Sequence, residues 1–152
     1  MVQGHPPAVV RVAVAVTVAP DDFAYTTPIT VRWRDLDAFG HVNNAVYASY
    51  LEMARTAFWR DHFGCQDPFG IPFVIARMEI DFKRALKLFD PVRVGLRPSS
   101  VGRTSFDLEY GVFSGDVLCA AAVTRQVCVR HESGRPTRVP EDLAEALRPL
   151  LP

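Results

Sequence analysis

The chain has 152 residues, 49% of them hydrophobic, and its 17 Lys and Arg balance 17 Asp and Glu, so the formal net charge is zero. A chain of this length and composition can bury one hydrophobic core without disulfides or a structural metal, which excludes disordered and fibrous proteins. Zero net charge also excludes a protein that coats nucleic acid through bulk positive charge. An anionic ligand must therefore be bound by a local group of cations, and residues 77–103 carry a basic excess.

The N-terminal part carries an apolar run at residues 9–18, interrupted only by Arg11 and Thr17. The run is too short to span a bilayer and lacks the features of a secretory signal. We therefore predict an arm or an extra strand over residues 1–24, then one domain over residues 25–152, with no membrane partner. The cysteines form no Cys-x-x-Cys pair and two lie in apolar sequence, which is typical of reduced core thiols in a cytoplasmic protein.

The first regular elements are a strand and a long helix. Residues 27–34 alternate apolar and polar side chains, which predicts a half-buried strand. From Asn44 onward, apolar side chains recur at helical spacing for about twenty residues, which predicts a helix. Asn43 or Asn44 can cap its start, and Gly64 stands just past its end. The apolar stripe contains Tyr47, Tyr50, Leu51, Ala54 and Phe58, with Glu52, Arg55 and Arg60 largely off it.

The rest of the chain is mostly strand. Alternation returns over residues 74–82, 92–97, 105–112 and 117–130, and strands joined by short turns are antiparallel neighbours. Pro140 opens a short terminal helix. With one long helix and about five strands, we predict an α+β fold in which the helix lies across the concave face of a curved antiparallel sheet.

The polar cluster at residues 35–44 is the strongest candidate for chemistry, because it holds two carboxylates, a histidine and two amides. An Asp here can simply cap a turn, and that alternative stays open. The spacings do not fit a calcium loop, a zinc site, a Ser or Cys nucleophile or a phosphate-binding glycine loop. A carboxylate just ahead of a helix N-terminus remains, where free N–H groups can hold a developing oxyanion.

Residues 33–44, continued by Tyr47, Tyr50, Glu52, Ala54 and Arg55, resemble the hot-dog-fold acyl-CoA thioesterases of the 4-hydroxybenzoyl-CoA thioesterase type. The resemblance continues through residues 80–82 and 138–143 and covers about residues 27–148. It implies a hot-dog fold and hydrolysis of an acyl-CoA to the free acid and coenzyme A, without a metal or another cofactor. It also implies a homodimer or homotetramer, because the family's active site lies at the subunit boundary.

The resemblance also assigns roles by position. It implies that Asp37 is the catalytic carboxylate, acting as a nucleophile or a general base, and that the backbone N–H of Asn44 polarises the thioester carbonyl. Gly40 would allow close backbone approach, and Asn43 would contact the substrate. His41 would contact substrate or water, or else make a structural hydrogen bond.

Basic residues are needed for the phosphates of coenzyme A, and we expect Lys83, Arg84 and Arg103 to supply them. Two neighbouring groups have mainly structural interpretations. Asp35 would hold the loop or pair with a nearby arginine, and Glu52 would either pair with Arg55 or reach a partner subunit. Two alternative functions stay open on the same fold, a thioesterase for acyl carrier protein and a non-catalytic domain that binds acyl-CoA.

Overall fold

The computed structural model describes residues 18–66 and 72–152. The apolar run at residues 9–18 therefore lies outside the described residues, apart from Val18. Residues 18–24 form no strand; they make a 3-10 turn at Pro20–Asp22 and then place Phe23 on the sheet. The Phe23 ring lies edge-on to Phe113, with centroids 5.9 Å apart. Phe23, which belongs to the segment predicted as an arm or an extra strand, therefore packs against Phe113 of the sheet.

The regular elements follow the predicted order. They are β1 (Tyr25–Ile29), α1 (Asn44–Phe63), β2 (Phe73–Phe82), β3 (Val92–Val101), β4 (Ser105–Ser114), β5 (Val117–Cys128) and α2 (Glu141–Leu147). The strands form one antiparallel sheet in the order β1-β3-β4-β5-β2, and α1 packs against β1 and β3. This confirms the α+β arrangement of one long helix on a five-stranded sheet. No helix in the described ranges is long and apolar enough to cross a membrane.

The ends of α1 are set by local chemistry. The Asn43 side chain accepts a hydrogen bond of 2.9 Å from the N–H of Ala45, and Gly64 ends the helix in the left-handed conformation with a φ of +61°. The buried face contains Tyr47, Tyr50, Leu51, Ala54, Arg55, Phe58 and Trp59. The prediction that Arg55 lies off this face is wrong, because its guanidinium hydrogen-bonds to Tyr110 on β4.

Strand β1 ends earlier than the alternation over residues 27–34 predicts. It ends at Ile29, and Trp33–Asp35 forms a 3-10 turn that leaves Trp33 79% exposed. The cause is Asp35, whose carboxylate accepts hydrogen bonds from the backbone N–H and the guanidinium of Arg32. These hydrogen bonds bend the chain into a turn. The alternation of apolar and polar residues beyond Ile29 therefore does not correspond to a strand.

Strand β2 forms one edge of the sheet and pairs only with β5 among the described strands. Its exposed apolar side chains are Val74, Met78 and Phe82. An uncovered edge of ten residues with apolar side chains is a surface on which another strand can pair. On β5 itself, Cys119 and Cys128 are buried thiols, and burial raises the pKa of both.

Candidate active site

A cleft of about 250 Å³ lies between the loop before α1 and the end of β2. Its lining residues are Asp37, His41, Val42, Asn44, Tyr47, Phe82, Lys83, Arg84 and Ala85. Five of the residues predicted from sequence therefore meet here, although Lys83 and Arg84 follow Asp37 and Asn44 by about forty residues. A carboxylate, a helix N-terminus and two cations share one opening.

The loop that carries the carboxylate is closed by backbone hydrogen bonds. The N–H of Asn43 donates to the carbonyl oxygen of Asp35 at 2.8 Å, and the N–H of Asp37 donates to that of His41 at 2.8 Å. The N–H of Val42 donates to Leu86 at 2.8 Å, which anchors the loop to the segment after β2. The loop is thus fixed at both the helix start and the strand end.

The two carboxylate oxygens of Asp37 have different surroundings. Oδ1 accepts hydrogen bonds from the backbone N–H groups of Phe39 at 2.9 Å and His41 at 3.3 Å. The turn-capping alternative is therefore correct for this oxygen. Oδ2 accepts no hydrogen bond from any residue in the described ranges, and the side chain is half-buried in the cleft wall. One oxygen holds the loop while the other can react.

Asn44 is the first residue of α1, and its backbone N–H points out of the helix start. The Asn43 side chain accepts its hydrogen bond from the N–H of Ala45 and not from that of Asn44. The Asn44 N–H therefore has no acceptor within the described part of the chain. The free N–H groups and the helix dipole make this end partially positive, which suits a developing oxyanion. Asn43 itself is exposed, caps the helix and does not line the cleft, so its contact with the substrate stays a prediction.

Gly40 occupies the turn of the loop with a φ of +72°, and it does not line the cleft. A Cβ added there would meet no atom within 4 Å. No neighbouring atom of this chain therefore requires glycine at this position, and close backbone approach to the substrate stays a prediction. The positive φ by itself favours glycine, because residues with a side chain seldom adopt it. His41 lies half-buried in the cleft wall, where its backbone N–H supports Asp37.

The cations at the cleft are free to meet an anion. Lys83 and Arg84 are exposed, both donate their backbone N–H to the carbonyl oxygen of Cys119, and neither belongs to an ion pair among the described residues. Arg84 also lines an adjoining cleft together with Lys87. Arg103 lies in the turn after β3, at the opposite end of a strand about 33 Å long, so one chain does not bring it to this cleft.

Asp35 supports the loop from the core. Only 2% of it is exposed, and it accepts hydrogen bonds from Arg32 and from the Tyr50 hydroxyl. Burial raises the pKa of Asp35, but the hydrogen bonds from Arg32 and Tyr50 outweigh it and lower the pKa below the usual value. The structural role predicted for Asp35 is confirmed, with Arg32 as its partner.

Two aromatic residues complete the wall and were missed as site residues. Tyr47 and Phe82 meet in a T-shaped contact with centroids 5.0 Å apart. Tyr47 was expected in core or interface packing, and Phe82 in a strand. The available signal was that Phe82 ends its strand directly before Lys83 and Arg84. The two rings give the cleft an apolar side next to its polar one.

A sequence profile of the thioesterase-like superfamily matches residues 31–147, which is most of the chain. The chain belongs to the thioesterase-like superfamily. It is therefore a thioester hydrolase, and its long helix α1 on a five-stranded sheet is the hot-dog fold. The match spans the loop, the helix start and both cleft cations.

Individual relatives of this thioesterase agree with the assignment. A thioesterase from Thermus thermophilus, solved in complex with coenzyme A and Zn, is 38% identical with a TM-score of 0.77, covering 86% of this chain and 96% of that one. A 1,4-dihydroxy-2-naphthoyl-CoA hydrolase from Nostoc punctiforme is 28% identical over 82% of this chain and 86% of its own length. The acyl-CoA thioesterase YbgC of Haemophilus influenzae is 26% identical over 85% and 98%.

Proposed function

We propose that this thioesterase hydrolyses an acyl-CoA to the free acid and coenzyme A, with Asp37 as its catalytic carboxylate. The observation that carries the proposal is the pairing, in one cleft, of the free Oδ2 of Asp37 with the unbonded N–H of Asn44. The names of the relatives support coenzyme A as the carrier. No metal or other cofactor is required by the reaction.

The thioester carbonyl would bind at the start of α1. Its oxygen accepts a hydrogen bond from the Asn44 N–H, and the positive end of the helix dipole stabilises the charge that develops there. Because Asn44 opens the helix, this donor needs no rearrangement during the reaction. The rings of Tyr47 and Phe82 cover one side of the cleft and limit the access of water.

Asp37 can act by two routes. As a nucleophile, Oδ2 forms a bond to the carbonyl carbon, the C–S bond breaks with its electron pair on the coenzyme A sulfur, and water then cleaves the mixed anhydride. As a general base, Asp37 takes a proton from water while the water oxygen attacks, and that proton passes to the leaving sulfur. In both routes the N–H groups of Phe39 and His41 hold Oδ1, so the reacting oxygen keeps its direction.

The phosphates of coenzyme A would bind at the open rim of the cleft. Lys83 and Arg84 are exposed there with no acidic partner among the residues that the structure describes, and Lys87 lines the adjoining cleft beside Arg84. Cations without internal partners are available to a phosphorylated ligand. The position of these cations favours a substrate whose acyl group is attached to coenzyme A over an acyl group that lacks this carrier.

We further propose that the active unit is a homodimer, or a homotetramer built from such dimers. The free edge of β2 offers ten residues of backbone and exposed apolar side chains. The Phe82 side chain is 47% exposed although it lines the cleft, so a second copy on this edge would complete the wall.

The direct experiment measures steady-state thiol release from a panel of short, medium and aromatic acyl-CoAs. Turnover of at least one acyl-CoA is expected, and turnover of none overturns the proposal. The same acyl group is then offered on acyl carrier protein, and a higher kcat/KM on that carrier would favour the alternative carrier. Tight binding of acyl-CoA without turnover would favour a binding domain.

A further inference from the structure

One buried charge has no part in the chemistry described above. Arg55 on α1 is only 8% exposed, and its Nη1 donates a hydrogen bond of 3.3 Å to the hydroxyl of Tyr110. Among the described residues no carboxylate lies within 4 Å of it, and Glu52, one turn earlier, is exposed. A buried guanidinium without a carboxylate is costly, so its remaining donors require an acceptor.

The hydrogen bonds that begin at Arg55 form a series in which each group donates to the next one in the sheet. A guanidinium can only donate, so the Tyr110 oxygen accepts from Arg55 and its O–H donates to Thr124 Oγ1 at 3.0 Å. The Thr124 hydroxyl donates to the amide oxygen of Gln126, whose N–H donates to the carbonyl oxygen of Phe106 at 2.9 Å. The chain of bonds is complete on this side and fixes Nη1.

The other side of the guanidinium is open. Nε and Nη2 of Arg55 have no acceptor in residues 18–66 and 72–152, and neither atom is sealed from solvent. Two unused nitrogens of one guanidinium lie in one plane and can bind both oxygens of a carboxylate. The fold therefore holds a preformed carboxylate receptor whose partner is missing from the described chain.

Arg55 and Asn44 lie on the same side of α1. Arg55 follows Asn44 by eleven residues, which is within about 20° of three full turns and spans about 16 Å along α1. On the inner face of the sheet, Met78, Ile80 and Phe82 of β2 form what we call the β2 strip, and Phe82 contacts Tyr47 of α1.

One end of the β2 strip lies at the active-site cleft, and the other end lies next to the Arg55 network. Phe82 lines the cleft, and Met78 pairs in register with Thr124, a member of the Arg55 network. The distance from Phe82 to Met78 along the strand is about 13 Å. An acyl chain that starts at the Asn44 N–H and follows the apolar strip would thus end at Arg55.

Resting on the proposed acyl-CoA hydrolysis, we propose that Arg55 binds a carboxylate at the far end of the acyl chain, so that the substrates are ω-carboxyacyl thioesters. Arg55 is then a specificity-determining residue and Tyr110 a positioning residue. A carboxylate neutralises the buried charge and satisfies both free donors, whereas a terminal methyl group leaves the charge unpaired.

The test uses acyl-CoAs of graded length, each in two forms that end in a methyl group or a carboxylate. For the chain that spans about 16 Å, the wild type is expected to prefer the carboxylate form by about 10- to 100-fold in kcat/KM. Arg55→Met should remove this preference mainly through KM, and Tyr110→Phe should weaken it. Arg60→Met changes an exposed arginine of the same helix and should retain the preference.

Each outcome is decisive. Equal or better use of the methyl form by the wild type overturns this inference, and so does an equal loss on both forms in Arg55→Met, which would indicate a structural role. If Arg55→Met does not fold, Arg55→Lys keeps the charge without the planar fork and should lower the preference. Turnover of no thioester would overturn the proposed function itself, whereas turnover without a carboxylate preference overturns only the role of Arg55.

Discussion

The Tyr50 hydroxyl donates a hydrogen bond of 2.8 Å to Asp35 Oδ2 and so joins the second turn of α1 to the loop that carries Asp37. Asp35 also binds Arg32 through its carboxylate and Asn43 through its carbonyl oxygen. The loop and the helix start are therefore held by one buried residue, Asp35. The groups proposed to react, Asp37 and the Asn44 N–H, lie beside this clamp.

The clamp predicts a pH dependence of stability. Because the pKa of Asp35 is lowered in the folded state, its contribution is fully present above the unfolded value of about 3.9 and is lost as the pH falls through the folded value. Asp35→Asn should lower the free energy of unfolding by about 2 kcal/mol at neutral pH. Denaturant titrations from pH 7 to pH 3 should show the difference from wild type shrinking below about pH 4. A difference that grows toward acid would contradict this account.

Gly40 should matter for its conformation alone. Gly40→Ala and Gly64→Ala both force a side chain into the left-handed region, and both added Cβ atoms meet no neighbour. Each should cost about 1 kcal/mol of unfolding free energy. Because only Gly40 belongs to the Asp37 loop, only Gly40→Ala should lower kcat/KM, which thiol-release assays measure. Equal kinetic effects in the two variants would refute the positional argument.

The cleft cations should bind the carrier and not the acyl group. Lys83→Ala and Arg84→Ala should each raise KM for acyl-CoA by about tenfold, a loss of about 1.4 kcal/mol. An acyl-pantetheine substrate, which lacks the nucleotide phosphates, should show little change. Arg103→Ala is the matched comparison, and its KM should stay near the wild-type value because Arg103 lies at the other end of β3. A larger effect at Arg103 would place the phosphates elsewhere.

The β2 edge should control the oligomeric state. Met78→Lys adds a charge on the edge strand, whereas Val123→Lys adds the same charge at the same 37% exposure on β5, away from the edge. Sedimentation velocity should show the wild type and Val123→Lys as dimers or tetramers, and Met78→Lys shifted toward monomer. A monomeric wild type, or equal behaviour of the two variants, would argue against pairing through β2.

Features with local causes could be predicted from the sequence. The caps at Asn43 and Gly64 and the alternation of β2 to β5 depend on neighbouring residues, so both ends of α1 and most strand positions were correct. The turn at Trp33–Asp35 was missed because its cause is a side-chain bond from Arg32 and not hydrophobic periodicity.

Features with distant causes could not be predicted. The burial of Arg55 depends on Tyr110, which lies fifty-five residues later. The meeting of Asp37 with Lys83 and Arg84 depends on where β2 ends relative to the start of α1. The motif predicted the carboxylate of the cleft, but only the fold shows that one chain does not bring Arg103 to the same cleft and that Gly40 has a positive φ.

The most direct test of the account is the kcat/KM of Asp37→Asn for the best acyl-CoA in the panel. The asparagine can keep the hydrogen bonds from the N–H groups of Phe39 and His41 through its amide oxygen, so the loop should stay folded. Asp22→Asn, another carboxylate that accepts a backbone N–H, controls for the substitution itself. The account predicts a loss of about 10²- to 10⁴-fold for Asp37→Asn alone, and near wild-type activity in that variant would contradict it.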